Sequence, residues 1–376
     1  MTRASRFLVR TGAMAAKETV HVRRDPRTVW LALGMPVLLL VLFGYGVSMD
    51  VERVPLAIVD DDRTAESREL ARAFTAGHEF VEVADVDVSQ VEPLFRRNEA
   101  LAALVVPRRY AERLARGESG RAQLLVDGGD AATAVRILGK ADAIARATSL
   151  DLARRTLGPA RPPLEARVWT RYNPTERSAI FLVPGLAAYL LAIGAVMLTA
   201  LTVAGEWERG SMEQLFASPV GRLEIVLGKL LPYLALGFVQ LLLVLAVGTA
   251  IFDVPVRGSV LLVFVLGGTF LVGMLGQGLL ISVVTRNQLV ATQAATLSSL
   301  LPSVLLSGMI FPIENMPWAL RAMSYVIPAR YLVHALRGIL LKGNGLATLW
   351  PDLVGLAAFA AVALALATAR FRRRVA

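Results

Sequence analysis

Glu206, Trp207, Glu208, Arg209, Ser211, Met212, Glu213 and Leu215 crowd a short polar elbow between two long apolar runs. The chemistry these side chains offer is recognition by charge pairing and aromatic docking, not bond cleavage. Ser211 and Gln214 have the spacing of a capping box, which predicts a helix starting at Met212. Ser218-Pro219 should stop it. Trp207, Met212, Leu215 and Phe216 can share an apolar side, with Glu206, Glu208, Arg209 and Glu213 mostly elsewhere. None of the three acids has an evident partner within the chain. Two readings fit: a short amphipathic helix that another protein grips and pushes, or a solvated loop on the lipid surface.

Bond-making constellations are absent. There is no G-x-x-x-x-G-K-[ST]; Gly228-Lys229 is the nearest approach, and Leu223 and Leu230 break the pattern. G-x-S-x-G, H-E-x-x-H and C-x-x-C are missing too. With no cysteine, and with His21, His78 and His334 far apart in sequence, no metal site is expected. Asp60-Asp61-Asp62 and Asp127-Gly128-Gly129-Asp130 lack EF-hand spacing and follow apolar strands, where they read as turns and caps. No catalytic residue and no bound cofactor is expected of this chain. Gln240, Gln277 and Gln293 stand inside apolar runs that hold almost no ionisable group, either as glue between helices or as lining of a substrate path.

The elements that must position these residues are membrane helices. Hydrophobic residues make up 55% of the 376-residue chain. Six runs approach or exceed the ~20 residues that cross a bilayer as a helix: roughly Val29–Val47, Ile180–Val203, Ile225–Ile251, Ser259–Val284, Val290–Phe311 and Leu349–Ala369. A break near Pro232 is compatible with the third, and the fifth contains Pro302. The first run reads as an uncleaved anchor, because no small-x-small site follows Val47.

The net charge of +10 is unevenly spread. Residues 50–179 carry 20 Lys/Arg against 21 Asp/Glu, so the excess belongs to the membrane part. Arg3, Arg6, Arg10, Lys17, Arg23, Arg24 and Arg27 precede the first run, and Arg370, Arg372, Arg373 and Arg374 follow the last. The positive-inside rule puts both ends in the cytoplasm. The elbow and the Thr285-Arg286-Asn287 turn are then cytoplasmic, and 50–179 and 312–348 lie outside. The charges flank spans, which argues against a nucleic-acid partner.

Residues 50–179 read as an inserted α/β domain. Strands are predicted at Val54–Val59, Phe80–Val83, Leu101–Val106 and Gln123–Val126, and helices at Thr64–Phe74, Val88–Arg97, Pro107–Arg116 and Ala131–Leu157. Leu164–Tyr172 returns as an extended segment. Strands alternating with helices favour an α/β layer. The expected fold is a polytopic α-helical membrane protein of six transmembrane helices with this domain between helices 1 and 2. Its parts are a 1–28 cytoplasmic segment, helix 1 at 29–49, the 50–179 domain, helices 2–6 across 180–369 and a 370–376 tail. The coupling stretch near 206–218 falls inside 180–369. So does 312–348, whose Trp318, Tyr325 and Tyr331, with Trp350 just beyond, suit an interfacial or re-entrant hairpin or a plain amphipathic loop.

Three stretches carry a family resemblance. They are Glu206–Leu215 with Ser218-Pro219 and Gly228-Lys229; Asp127–Ala134; and Phe311–Pro317 followed by Tyr325–Tyr331. Over nearly its whole length the chain resembles permease subunits of ATP-binding cassette exporters of the second type, in the subfamily with a large extracytoplasmic domain after the first span. The family's usual Gly-Thr is Gly210-Ser211 here, which keeps the capping hydroxyl.

The resemblance implies a dimeric permease in a bacterial inner membrane, driven by separate ATPase subunits that bind ATP and Mg. The second permease copy would be identical or a paralogue. The elbow would be the coupling helix seated on the ATPase, and a periplasmic adaptor and outer-membrane channel are implied further partners. Drugs, lipids, bile-salt-like amphiphiles and ions are all compatible substrates. A membrane-anchored sensor or assembly scaffold is the competing reading, and a polytopic enzyme a third, with no catalytic constellation to support it.

Overall fold

In the computed structural model, the described residues are 3–46, 53–129, 131–157, 172–173, 177–212 and 220–370. The chain forms two compact units, Met49–Trp169 and Met1–Ser48 with Thr170–Ala376.

The first unit is a four-stranded sheet of order β2-β1-β3-β4. Its strands are β1 (Val54–Asp60), β2 (Phe80–Asp85), β3 (Ala102–Val106) and β4 (Gln123–Val126). β1 runs parallel to β2 and β3, with Leu56 opposite Ala102 and Ile58 opposite Leu104, and β4 is antiparallel to β3. Helices α3 (Ala65–Thr75), α4 (Val88–Arg96), α5 (Tyr110–Ala115) and α6 (Ala131–Leu157) connect and flank the strands. β1 is apolar on both faces because both are covered. Leu56 and Ile58 pack with Leu70, Phe74 and Ile137, whereas Ala57 and Val59 pack with Val91.

The acidic turn after β1 is a hydrogen-bonding hub. Asp60 Oδ1 accepts the amides of Asp62 (3.1 Å) and Arg63 (2.9 Å), and its Oδ2 accepts the Ser67 hydroxyl at 2.6 Å. Asp62 reaches across to α5 and accepts the amides of Tyr110 (3.2 Å) and Ala111 (2.9 Å). Those bonds, with the Ala111 amide foremost, hold its carboxyl below the usual carboxylate range. They also correct a boundary. The helix expected from Pro107 begins at Tyr110, because Arg109 takes a left-handed conformation (φ 65°) and Asp62 supplies the cap from outside.

The second unit is helical. α1 (Arg3–Arg24) precedes a short turn, Pro26–Val29, and α2 (Trp30–Gly46), whose first five residues form a π-helical turn. Among the described residues, four later helices are long and apolar enough to cross a membrane: α7 (Ser178–Glu208), α8 (Arg222–Phe252), α9 (Val260–Thr285) and α13 (Leu346–Arg370). α2 is a shorter apolar helix. α10 (Gln288–Leu305) covers most of the fifth run. The chain is thus a helical membrane protein with four to six apolar helices and an α/β domain inserted in its N-terminal half.

One open reading is settled and one expectation is corrected. α8 runs unbroken through Pro232. The fifth run stops at Leu305, short of Phe311. Beyond it the backbone turns at Gly308 (φ 80°), and Arg337 holds the turn open by donating to the carbonyls of Gly308 (2.8 Å) and Met309 (2.9 Å). Past that turn lie α11 (Trp318–Ser324) and α12 (Pro328–Arg337), so 312–348 is a helical segment rather than a plain loop. Tyr172 is the one described residue of the expected extended return, and the tail beyond Arg370 lies outside the described residues.

Candidate functional site

α7 runs through Glu208 and ends at the Arg209-Gly210 turn, where Gly210 takes φ 71°. Ser211 and Met212 are helical again. The helix therefore starts no later than Ser211, and the Ser211 hydroxyl donates to the Glu206 carbonyl at 3.2 Å. Met212 is buried, and Arg209 is exposed. Glu213, Gln214, Leu215, Phe216 and Ser218-Pro219 lie outside the described residues.

Glu206 and Glu208, expected without partners in the chain, both have them. One Glu206 oxygen accepts a hydrogen bond from Lys229 Nζ, and the other lies 3.9 Å from Lys17 Nζ. Lys229 Nζ also donates to Glu18 Oε1 at 2.8 Å. Side-chain exposures are 2% for Lys229, 2% for Glu18 and 14% for Glu206, so the triad is out of water. Isolated charges there would cost several kcal/mol each, and mutual pairing offsets that cost. Arg10 of α1 and Glu224 of α8 approach to 3.8 Å along the same seam. Gly228 makes the seam possible, since a Cβ there would collide with Met14 of α1.

The other flank of the elbow is fixed to the turn between α9 and α10. Arg286 stacks over the Trp207 ring at 4.6 Å. Glu208 Oε1 accepts the Gln288 amide at 2.9 Å, placing an acid at the N-terminus of α10, where the helix dipole favours it. Gln288 Nε2 lies over Gly205, where any side chain would collide with it. The elbow is thus rooted in α1, α7, α8 and α10 at once.

The amides of the apolar runs divide. Gln240 is buried and donates to the Leu190 carbonyl at 3.0 Å, tying α8 to α7. Gln277 donates to Ser298 Oγ at 3.1 Å, tying α9 to α10. It also lines a cavity of about 240 Å³ with Met274, Ser298, Pro302 and Phe359. Gln293 is exposed on α10.

Sequence reasoning missed the ionisable groups inside the apolar runs. Lys229 is one. Asp352 of α13 is another, buried to 7% exposure and 2.8 Å from His334 of α12. Glu18 carried a signal, being the lone acid in a strongly basic helix. Among the described residues no group of three or more His, Asp or Glu could hold a metal ion.

Among the described residues, buried ion pairs and the Glu208–Gln288 contact surround an exposed turn. Residues 26–369 match the ABC-2 family transporter protein family. The chain is 34% identical over 368 residues to the probable multidrug ABC transporter permease YbhS of Escherichia coli (strain K12), covering 97% of each. It is 30% identical to the probable multidrug ABC transporter permease YbhR of the same strain, over 97% of this chain and 99% of that one. The inner membrane transport permease YhhJ is 24% identical over 90% of this chain and 93% of its own. A family match across nearly the whole chain, with relatives this similar end to end, makes this protein a member of the ABC-2 transporter family and a permease subunit of an ABC transporter, not its ATPase.

Proposed function

We propose that this chain is the membrane half of an exporter in which the elbow near 206–218 receives force from a separate ATPase that binds ATP and Mg. The observation that carries the reading is the rooting of the elbow. Glu206 reaches α1 and α8 through Lys229, while Trp207 and Glu208 hold the start of α10. A push there reaches four helices. The energy must come from the partner, because a conformational change needs differential binding to two states.

The six-helix arrangement, with α2 and α10 as the first and fifth spans, both termini cytoplasmic and the α/β domain outside, is part of the same reading. It is supported by the basic residues that flank the apolar runs. A second copy or paralogue is the partner that fits α10. Its exposed face carries Leu289, Gln293, Leu297 and Leu301 at four-residue spacing, so an amide stands among three leucines. An amide is costly against lipid and useful between helices. The similarity to both YbhS and YbhR favours a paralogue as that partner. Their names favour a drug-like amphiphile as cargo. An outer domain of this size is suited to docking a periplasmic adaptor that leads to an outer-membrane channel.

Purification of the full chain in mild detergent tests the assembly. An ATPase of the ABC type and a second permease chain are expected to come down with it. Recovery of the chain alone, or with a kinase or regulator instead, would favour the sensor reading.

A further inference from the structure

We propose that Lys229 makes the N-terminal helix α1 a working part of the coupling unit, joining Glu18 of α1 to Glu206 of the elbow so that the two move as one body. This rests on the reading of the elbow as the coupling element.

Two carboxylates from helices far apart in sequence converge on one buried ammonium. An apolar trio of similar volume would serve stability as well or better, so a buried ion network is more telling about register than about stability. Here the register it sets is that of α1 against the end of α7. Glu18 is the only acid of α1, and it is spent on this contact rather than on solvent. Lys17–Glu206 at 3.9 Å adds a second contact between α1 and Glu206, and Arg10–Glu224 at 3.8 Å ties α1 to the start of α8. Thr11, Met14, Glu18 and Val22 form the buried stripe of α1, at helical spacing, and α1 packs along α8. Tyr233, one turn beyond Lys229, is also buried. Glu18 and Lys229 are therefore positioning residues. They would act through Glu206, holding the elbow on a helix that the elbow's own sequence does not include.

The test uses the cysteine-free chain with its co-purified ATPase in lipid nanodiscs, one labelled permease copy per complex. Spin labels are placed at Ala16→Cys on α1 and Val220→Cys at the far end of the elbow. A reference pair joins Val220→Cys to Ala369→Cys on α13. Distances are read without nucleotide and after trapping with ATP and vanadate. The expected result is a single α1–elbow distance that is the same in both states, while the reference distance shifts. Glu18→Gln or Lys229→Met should lose the single α1–elbow peak, and Lys229→Arg, which keeps a cation between Glu18 and Glu206, should keep it. An α1–elbow distance that changes between states in the wild-type background would overturn the proposal, and that arm needs no charge variant to fold. A peak that stays single in both neutral variants would overturn it as well. A reference distance that does not move would remove the coupling reading itself, whatever α1 does.

Discussion

Lys229 and Glu18 stand 211 residues apart in sequence, and their side chains meet at 2.8 Å with only 2% of each exposed. Removing one partner of such a pair leaves an uncompensated buried charge, a loss of roughly 3–5 kcal/mol. Lys229→Met should therefore lower the thermal midpoint of the detergent-solubilised chain sharply. Adding Glu18→Gln and Glu206→Gln should recover much of it, because no stranded charge remains. Equal midpoints for the single and triple variants would show that the triad is not carrying buried charge.

Orientation follows from the basic flanks. Single cysteines at Ser119 and Ser218 can be probed in intact cells with a membrane-impermeant thiol reagent, with the outer membrane permeabilised. Position 119 should label and position 218 should not. Labelling at 218 alone would invert the topology.

The α/β unit has its own two-sided core, so residues 51–174 expressed alone should give a soluble protein with mixed α/β circular dichroism and one cooperative unfolding transition. Within it, Asp62→Ala should cost about 1 kcal/mol through loss of the α5 cap. The Asp62 carboxyl is held below its ordinary value, so its contribution is full above about pH 4 and fades as pH falls through the native value. A denaturant titration at two pH values reads this directly. A cap loss of the same size at low and neutral pH would contradict the assignment.

At the other end of the chain, the hydrogen bond that His334 Nδ1 donates to Asp352 raises the pKa of His334 against the opposing effects of burial, Lys342 and Arg330. A raised native pKa means the pair's stabilisation is full below about pH 6.5 and is lost as pH rises through the native value. The thermal midpoint should therefore fall between mildly acidic and alkaline buffer by more in the wild-type chain than in Asp352→Asn. An identical pH response in the two proteins would show that the contact does not titrate.

Local signals in the sequence were readable, and contacts over long separations were not. The apolar run before Asp60 announced β1, and the breaker-poor stretch after Asp130 announced α6. The start of α5 was misplaced because its cap, Asp62, lies 48 residues from Tyr110. The fifth run looked continuous to Phe311 because nothing local shows Arg337 gripping the carbonyls at Gly308 and Met309. At the candidate site the elbow itself was visible from residue types alone. The partners of Glu206 and Glu208 were not, since Glu18, Lys229 and Gln288 come from other helices. Gly228-Lys229 stood out as a motif, but only folding shows that the glycine admits α1 and the lysine binds it.

Delivery of the ATPase stroke to the membrane helices through the elbow is read by reconstituting the permease with its co-purified ATPase in liposomes and measuring ATP hydrolysis and export of a fluorescent amphiphilic cation together. Arg209 is exposed at the elbow, and Glu213 follows on the same segment. In Arg209→Glu or Glu213→Lys, export should fall at least about tenfold while the chain still folds, since losing a buried interfacial charge pair costs roughly 2–5 kcal/mol. The ATPase should either dissociate or hydrolyse ATP without transport. Wild-type export with the ATPase retained in both variants would contradict the account and leave the elbow a solvated loop.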